Sequence, residues 1–278
     1  MRKQNKKHRT VRKHKSGPNF TGQHLLHHPQ TIRELINTIQ IQRSDTVLEI
    51  GAGKGGLTFP IAEKAGRVLA VEIDEDFVKA LRIKADGHPR IKILHGDIRE
   101  MRLPSSPFCV IANIPFSITT AILEKLLGAE GKAFQKGALI LEKGAARRFT
   151  QRDTLEPRLL MWRTQFQFEI ENFIPRTHFA PPPRVDAAIV RIMRRERPLV
   201  PAKEGRRFAA FAAYMLREPR LMAAHALRGI FTPAQLKVTL NQAGVGREQA
   251  VASISVEQWA VLFLTMLRHV APYRWPKG

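Results

Sequence analysis

Thr46-Val47-Leu48-Glu49-Ile50-Gly51-Ala52-Gly53-Lys54-Gly55-Gly56 decides the fold. A short β-branched and apolar run ends in a glycine-rich turn, and Leu57 to Lys64 after it reads as a helix, so the stretch predicts a strand, a turn and a helix start. Glycines let the backbone come close to a ligand, and the free N–H groups of the following helix favour a carboxylate or phosphate. Such a turn suits a nucleotide-like cofactor. The next apolar run, Arg67 to Val71, ends in Glu72, about 20 residues past the turn, where a doubly wound sheet places the acid that accepts from ribose hydroxyls. A third run, Ile91 to Leu94, leads through His95 and Gly96 to Asp97, which can accept from an adenine amine.

Taken alone, the turn satisfies the dinucleotide template and leaves dinucleotides and S-adenosylmethionine both open. Glu49 directly before it, Asp97 after a third strand, and a polar step at Asn113 favour S-adenosylmethionine. A P-loop is excluded because Gly55 follows Lys54 where Ser or Thr would hold magnesium. Glu72 and Asp97 singly are also ordinary solvated strand ends; in series they point to one cofactor.

The step is Asn113, Ile114, Pro115 and Phe116, at the end of the apolar run Phe108 to Ala112. The amino nitrogen of adenine is a poor nucleophile because its lone pair is delocalised into the ring. An enzyme that alkylates it needs acceptors on both N–H bonds. Asn113 offers a side-chain carbonyl, Ile114 a backbone carbonyl beside the fixed dihedral of Pro115, and Phe116 a face for a base. The same tetrapeptide in isolation is an ordinary turn after a strand.

The ordered set Asn19, Phe20, Gly22, Gln23, Glu49 to Gly53, Glu72, Asp97, Asn113 to Phe116, and Phe179 with Pro181 to Pro183 resembles the ribosomal RNA adenine N6-methyltransferases, and within them the erythromycin-resistance (Erm) branch that modifies 23S RNA. The resemblance runs from about Asn19 to the C-terminus. It implies a Rossmann-like S-adenosylmethionine-dependent methyltransferase sheet with a small C-terminal all-helical domain. It also implies that Asn19, Thr21 and Gln23 close over the methionine end of the cofactor, Gly51 and Gly53 line it, Glu72 holds the ribose and Asp97 the adenine amine. Asn113 then lies between the cofactor methyl and the target amine, with Phe116 and Phe179 sandwiching the extruded adenine. Many relatives carry Tyr at the Phe116 position, so stacking survives here and a hydroxyl role does not. Phe179, before three prolines, also reads as a packed loop residue.

Composition agrees with an RNA partner: Lys plus Arg is 46 against 24 for Asp plus Glu, a net charge of +22 in 278 residues. Residues 1–18 are expected to form a disordered basic arm, with eight cations between Arg2 and Lys15 and no apolar periodicity. This arm has neither the apolar core of a secretory signal nor the pattern of a transit peptide. No apolar stretch reaches the roughly 18 residues of a membrane span, so a soluble, cytoplasmic chain with no membrane partner is expected. Cys109 is alone, which excludes a disulfide or thiolate metal cluster and reads as a small buried thiol inside a strand. His24, His27 and His28 share no helical spacing with a carboxylate, so no metal is expected and they are read as surface or RNA-facing.

From Thr46 to about Arg194, strand-like runs alternate with helical segments, including Ala138 to Leu141, Phe166 to Ile170 and Ala187 to Ile192, and this predicts an α/β sheet with helices on both faces. After Arg197 and Pro198 only helical signals remain. Thr232-Pro233-Ala234-Gln235 and Ser255 with Gln258 read as capping boxes, and Trp259, Leu262, Phe263, Met266, Leu267 and Val270 fall on one helical face. The expected division is a catalytic domain over 19–197 and a helical RNA-substrate domain over 198–278. The expected activity is in-line methylation of N6 of one adenine in the macrolide-binding, peptidyl-transferase region of 23S rRNA, by a monomer. A housekeeping small-subunit dimethylase shares nearly every motif, and a non-enzymatic RNA-binding factor would keep the charge without the site. A DNA adenine methyltransferase usually has a second proline where Ile114 stands.

Overall fold

A computed structural model of the protein describes residues 24–277 apart from 152 and 154. The basic arm and the expected lid residues Asn19, Thr21 and Gln23 lie outside the described residues. The chain begins with a two-residue strand, β1 (Leu25–Leu26), and helix α1 (Pro29–Asn37). Alternation follows: β2 (Thr46–Ile50), α2 (Thr58–Lys64), β3 (Arg67–Glu72), α3 (Glu75–Lys84), β4 (Ile91–His95), β5 (Phe108–Asn113), α4 (Thr119–Leu127), β6 (Phe134–Glu142), α5 (Lys143–Thr150) and α6 (Pro157–Gln165). Strands β7 (Phe166–Ile174), β8 (Phe179–Ala180) and β9 (Ala187–Arg194) come next, then helices α7 (Gly205–Met215), α8 (Ala223–Ala226), α9 (Pro233–Ala243) and α10 (Val256–His269).

Seven strands form one sheet in the order β4-β3-β2-β5-β6-β9-β7, parallel from β4 to β6, with β9 antiparallel to both its neighbours. The central strands are near-continuous apolar runs because both faces of the sheet are covered. Leu48, Val110, Leu139 and Leu141 face one core with Ile122 and Leu123 of α4, Phe149 of α5 and Trp162 of α6. Val47, Cys109, Ile111 and Ile140 face the other, with Leu35 of α1, Ile61 of α2 and Leu81 of α3. Cys109 is 2% exposed, and burial pushes its thiol up to about 12, so it serves as packing.

A third core is all helical. The rings of Phe208 and Phe263 meet edge to face at 5.3 Å, and those of Phe211 and Trp259 at 5.9 Å. Both capping boxes form, Thr232 with Gln235 and Ser255 with Gln258, and they fix the starts of α9 and α10. Helix α6 serves two cores: Leu159 and Trp162 face the sheet, while Leu160 is buried with α7 and α10. No helix among the described residues is long and apolar enough to cross a membrane.

Candidate active site

The strand order reverses between β2 and β5, and a cavity of about 210 Å³ opens at their carboxyl ends. Its floor is the turn after β2. Gly51 (φ +77°) and Gly53 (φ +52°) occupy the left-handed region, which a side chain at either position would strain. The turn is tied to β3, since the N–H groups of Gly51 and Ala52 donate to the Val71 carbonyl at 2.9 and 3.1 Å. Glu72, 3% exposed, accepts from Gly53 N–H at 2.7 Å and from Ile73 and Asp74 N–H, both at 2.9 Å. A carboxylate offers about four lone-pair sites, so one remains for a ligand hydroxyl.

Beneath the turn, Glu49 is fully buried at the end of β2, accepting from the Thr58 hydroxyl at 2.6 Å through Oε2 while Oε1 has no hydrogen-bond partner among the described residues. Burial, reinforced by the charge of Glu72, pushes its carboxyl up to about 8, so Glu49 is neutral near pH 7. Asp97, after β4, is the other acid at the cavity. Arg99 donates to both its oxygens and holds its carboxyl below the usual carboxylate range.

On the opposite wall stand Asn113, Ile114, Pro115 and Phe116 at the end of β5. Asn113 Nδ2 donates to the His24 carbonyl at 2.6 Å, and that bond selects the orientation of the amide. Oδ1 accepts no hydrogen bond from the described residues and is left as the acceptor. The Ile114 side chain is anchored in the sheet core, which fixes the backbone carrying its carbonyl. Phe116 is half-buried, its ring centre 6.2 Å from that of His24.

The structure therefore brings Gly51, Gly53, Glu72 and Asp97 together with the Asn113 to Phe116 step around one cavity. Phe179 is elsewhere. Its ring is 2% exposed in the core beneath the sheet, because β8 pairs with β1 and sets Phe179 opposite Leu26. The expected aromatic sandwich is thus absent from this structure, and Phe179 is here a packing residue.

Of the three histidines His24, His27 and His28, His27 is exposed and the other two are half-buried. His24 lines the cavity, with Nδ1 2.8 Å from the Pro181 carbonyl. His28 caps α1 and stacks on His178 at 3.9 Å, with Thr31 bonded to both rings. His178 and Pro181 lie far along the chain, so helical spacing could not reveal them. Glu49 was visible as an acid inside an apolar run.

The cavity suits S-adenosylmethionine on its donor set. Two carboxylates at successive strand ends match a ribose diol and an adenine amine, and the wall offers acceptors to a cationic sulfonium. A Cβ on Gly53 would stand 2.8 Å from Leu25 Cδ2 at a left-handed φ of +52°, so a side chain there displaces Leu25 and strains the turn. Among the described residues no group of three or more His, Cys, Asp or Glu could hold a metal ion.

Comparison with known proteins agrees in kind. The pattern of the ribosomal RNA adenine dimethylase family matches residues 14–267. An rRNA adenine N-6-methyltransferase of Bacillus licheniformis is 43% identical over 100% of this chain and 97% of the relative. A ribosomal RNA small subunit methyltransferase A of Dehalococcoides mccartyi is 29% identical over 87% of this chain and 86% of its own. The crystal structure of the 23S rRNA methyltransferase ErmE superposes with a TM-score of 0.78 at 29% identity, covering 87% of this chain and 98% of ErmE. Fold, cavity and full-length similarity converge: the chain belongs to the ribosomal RNA adenine dimethylase family, and it is an rRNA adenine N6-methyltransferase on a Rossmann-like methyltransferase fold.

Proposed function

We propose that the protein methylates N6 of a single adenine in the peptidyl-transferase region of 23S rRNA, using S-adenosylmethionine, and thereby excludes macrolide-type drugs sterically. The observation that carries the chemistry is the Asn113 amide, turned by the His24 carbonyl so that its oxygen is the free end at the cavity. The 23S target is supported by the likeness to the 23S rRNA methyltransferase ErmE, which superposes with a TM-score of 0.78.

Bound S-adenosylmethionine supplies an electrophilic sulfonium methyl group. Glu72 and Asp97 hold its ribose and adenine, and Gly51 and Gly53 let the backbone close against it. Asn19, Thr21 and Gln23 are assigned to the methionine end. The Asn113 oxygen and the Ile114 carbonyl accept the two N–H bonds of the target amine, which draws the lone pair back onto nitrogen. Phe116 stacks on the base. Phe179 joins it only if the β1–β8 pair opens. No side chain is needed as general base, because the alkylated ammonium is far more acidic than the neutral amine and gives its proton to water.

Primer extension on protein-free 23S transcript after incubation with protein and S-adenosylmethionine tests this reading. A stop at one adenine of the peptidyl-transferase loop, lost in Asn113→Ala, is the expected result. Labelled methyl in 30S particles with none in 23S RNA would transfer the protein to the small-subunit branch, the second reading that the Dehalococcoides relative keeps in play.

A further inference from the structure

Phe173 is a large apolar side chain, 42% exposed, near the end of β7. That strand is the edge of the sheet, and what sets this ring apart from the other exposed apolar side chains is its charged surroundings. Its register runs Phe173 to Ala188 to Leu141 across β9 into β6, and Ile140 of β6 pairs with Asn113. Phe173 is therefore almost level with the catalytic step. Three strand spacings of about 4.8 Å place its backbone roughly 14 Å from β5 at the same carboxyl-end rim, with the ring on the α5 face of the sheet and the Asn113 side chain on the other.

Two cations from α5 bracket the ring. Lys143 Nζ lies 5.2 Å from its centre and the Arg147 guanidinium 5.7 Å. Lys143 shares its charge with Asp186 at 3.8 Å, whereas Arg147 is exposed and pairs with no carboxylate among the described residues. An exposed π-face beside cations on flexible stems fits a single-stranded polyanion whose bases present flat faces.

We propose that Phe173, with Lys143 and Arg147, forms a second stacking platform, which holds an RNA base flanking the target adenine. On binding, the two cations turn to the neighbouring phosphates and free the ring for the base. The proposal rests on the family's ribosomal RNA substrate and not on which subunit supplies it. A ring that merely shaded the stems of α5 would be replaceable by any apolar side chain.

The test is equilibrium binding of the full chain, by fluorescence anisotropy, to transcripts of the 23S peptidyl-transferase loop and of the 3′ domain of small-subunit RNA. On whichever transcript the wild type binds more tightly, Phe173→Ala and Phe173→Leu should both weaken binding about tenfold while Phe173→Trp retains it. Arg147→Gln should lower the slope of log affinity against log salt by about one, and the Phe173 variants should leave that slope alone. Affinity unchanged in Phe173→Ala, or restored by Leu, overturns the proposal. Methyl transfer by the wild type, scored on both transcripts, decides the 23S reading separately.

Discussion

The two walls of the cavity are built by opposite means. The cofactor wall is local: the turn after β2, the end of β3 and Glu72 satisfy one another through backbone N–H groups within about two dozen residues of sequence. The base wall is assembled from afar. Asn113 is oriented by a carbonyl 89 residues earlier, and His24, which provides it, is itself held by Pro181. The cofactor wall is therefore part of the fold's own stability, while the base wall can be disturbed with the sheet intact. Substitutions on the first should show in stability and cofactor affinity, and on the second in turnover.

The sharpest separation comes from Asn113→Ala. Loss of one preorganised group acting on the reacting nitrogen should lower kcat by about 10²–10³-fold or more, while thermal stability and RNA affinity stay near wild type. A large fall in Tm would erase the distinction between the walls.

Glu49 probes the cofactor wall by pH. Its carboxyl titrates near 8 when folded, against an ordinary value of 4.5. Between those values the folded chain keeps a proton that the unfolded chain has released, so stability should fall as pH rises through this window and level off above it. Glu49→Gln cannot titrate; its Tm relative to wild type should climb across the same window, by an amount worth up to a few kcal/mol. Parallel Tm curves would show that Glu49 is ionised in its site.

Gly53→Ala forces a side chain into a left-handed residue and against Leu25. We expect roughly 1–2 kcal/mol of lost stability, together with cofactor binding weakened about tenfold in calorimetry. Normal cofactor affinity in a destabilised variant would mean that the turn supports the fold without touching the ligand. The smallest effect is expected at Phe116→Tyr, which keeps the stacking face: kcat/KM within about threefold of wild type. A larger change would reveal a demand on the ring edge that stacking does not explain.

Legibility in the sequence followed the same divide. The strands were readable because parallel strands covered on both faces are apolar runs, and each run stops where its chain leaves the core, so Glu72, Asp97 and Asn113 marked their own places. The two capping boxes were readable because each spans only four residues. His24 was not, since its partners Asn113 and Pro181 lie 89 and 157 residues away. The burial of Phe179 escaped for the same reason: its neighbour across the ladder is Leu26, in a strand too short to leave a periodicity. The adjacent Leu159 and Leu160 of α6 face different cores, and only the docking of the helix decides which.

By itself the sequence determined the order of strand, turn and acid, the helical tail, and the chemical character of the step at Asn113, because period, glycine and capping act over a few residues. Only the tertiary structure decided which way the Asn113 amide points, that Phe179 is packed away, and that Phe173 is part-exposed under two cations of α5. Those outcomes depend on contacts between segments far apart in the chain, and such contacts exist only once the sheet has closed its register.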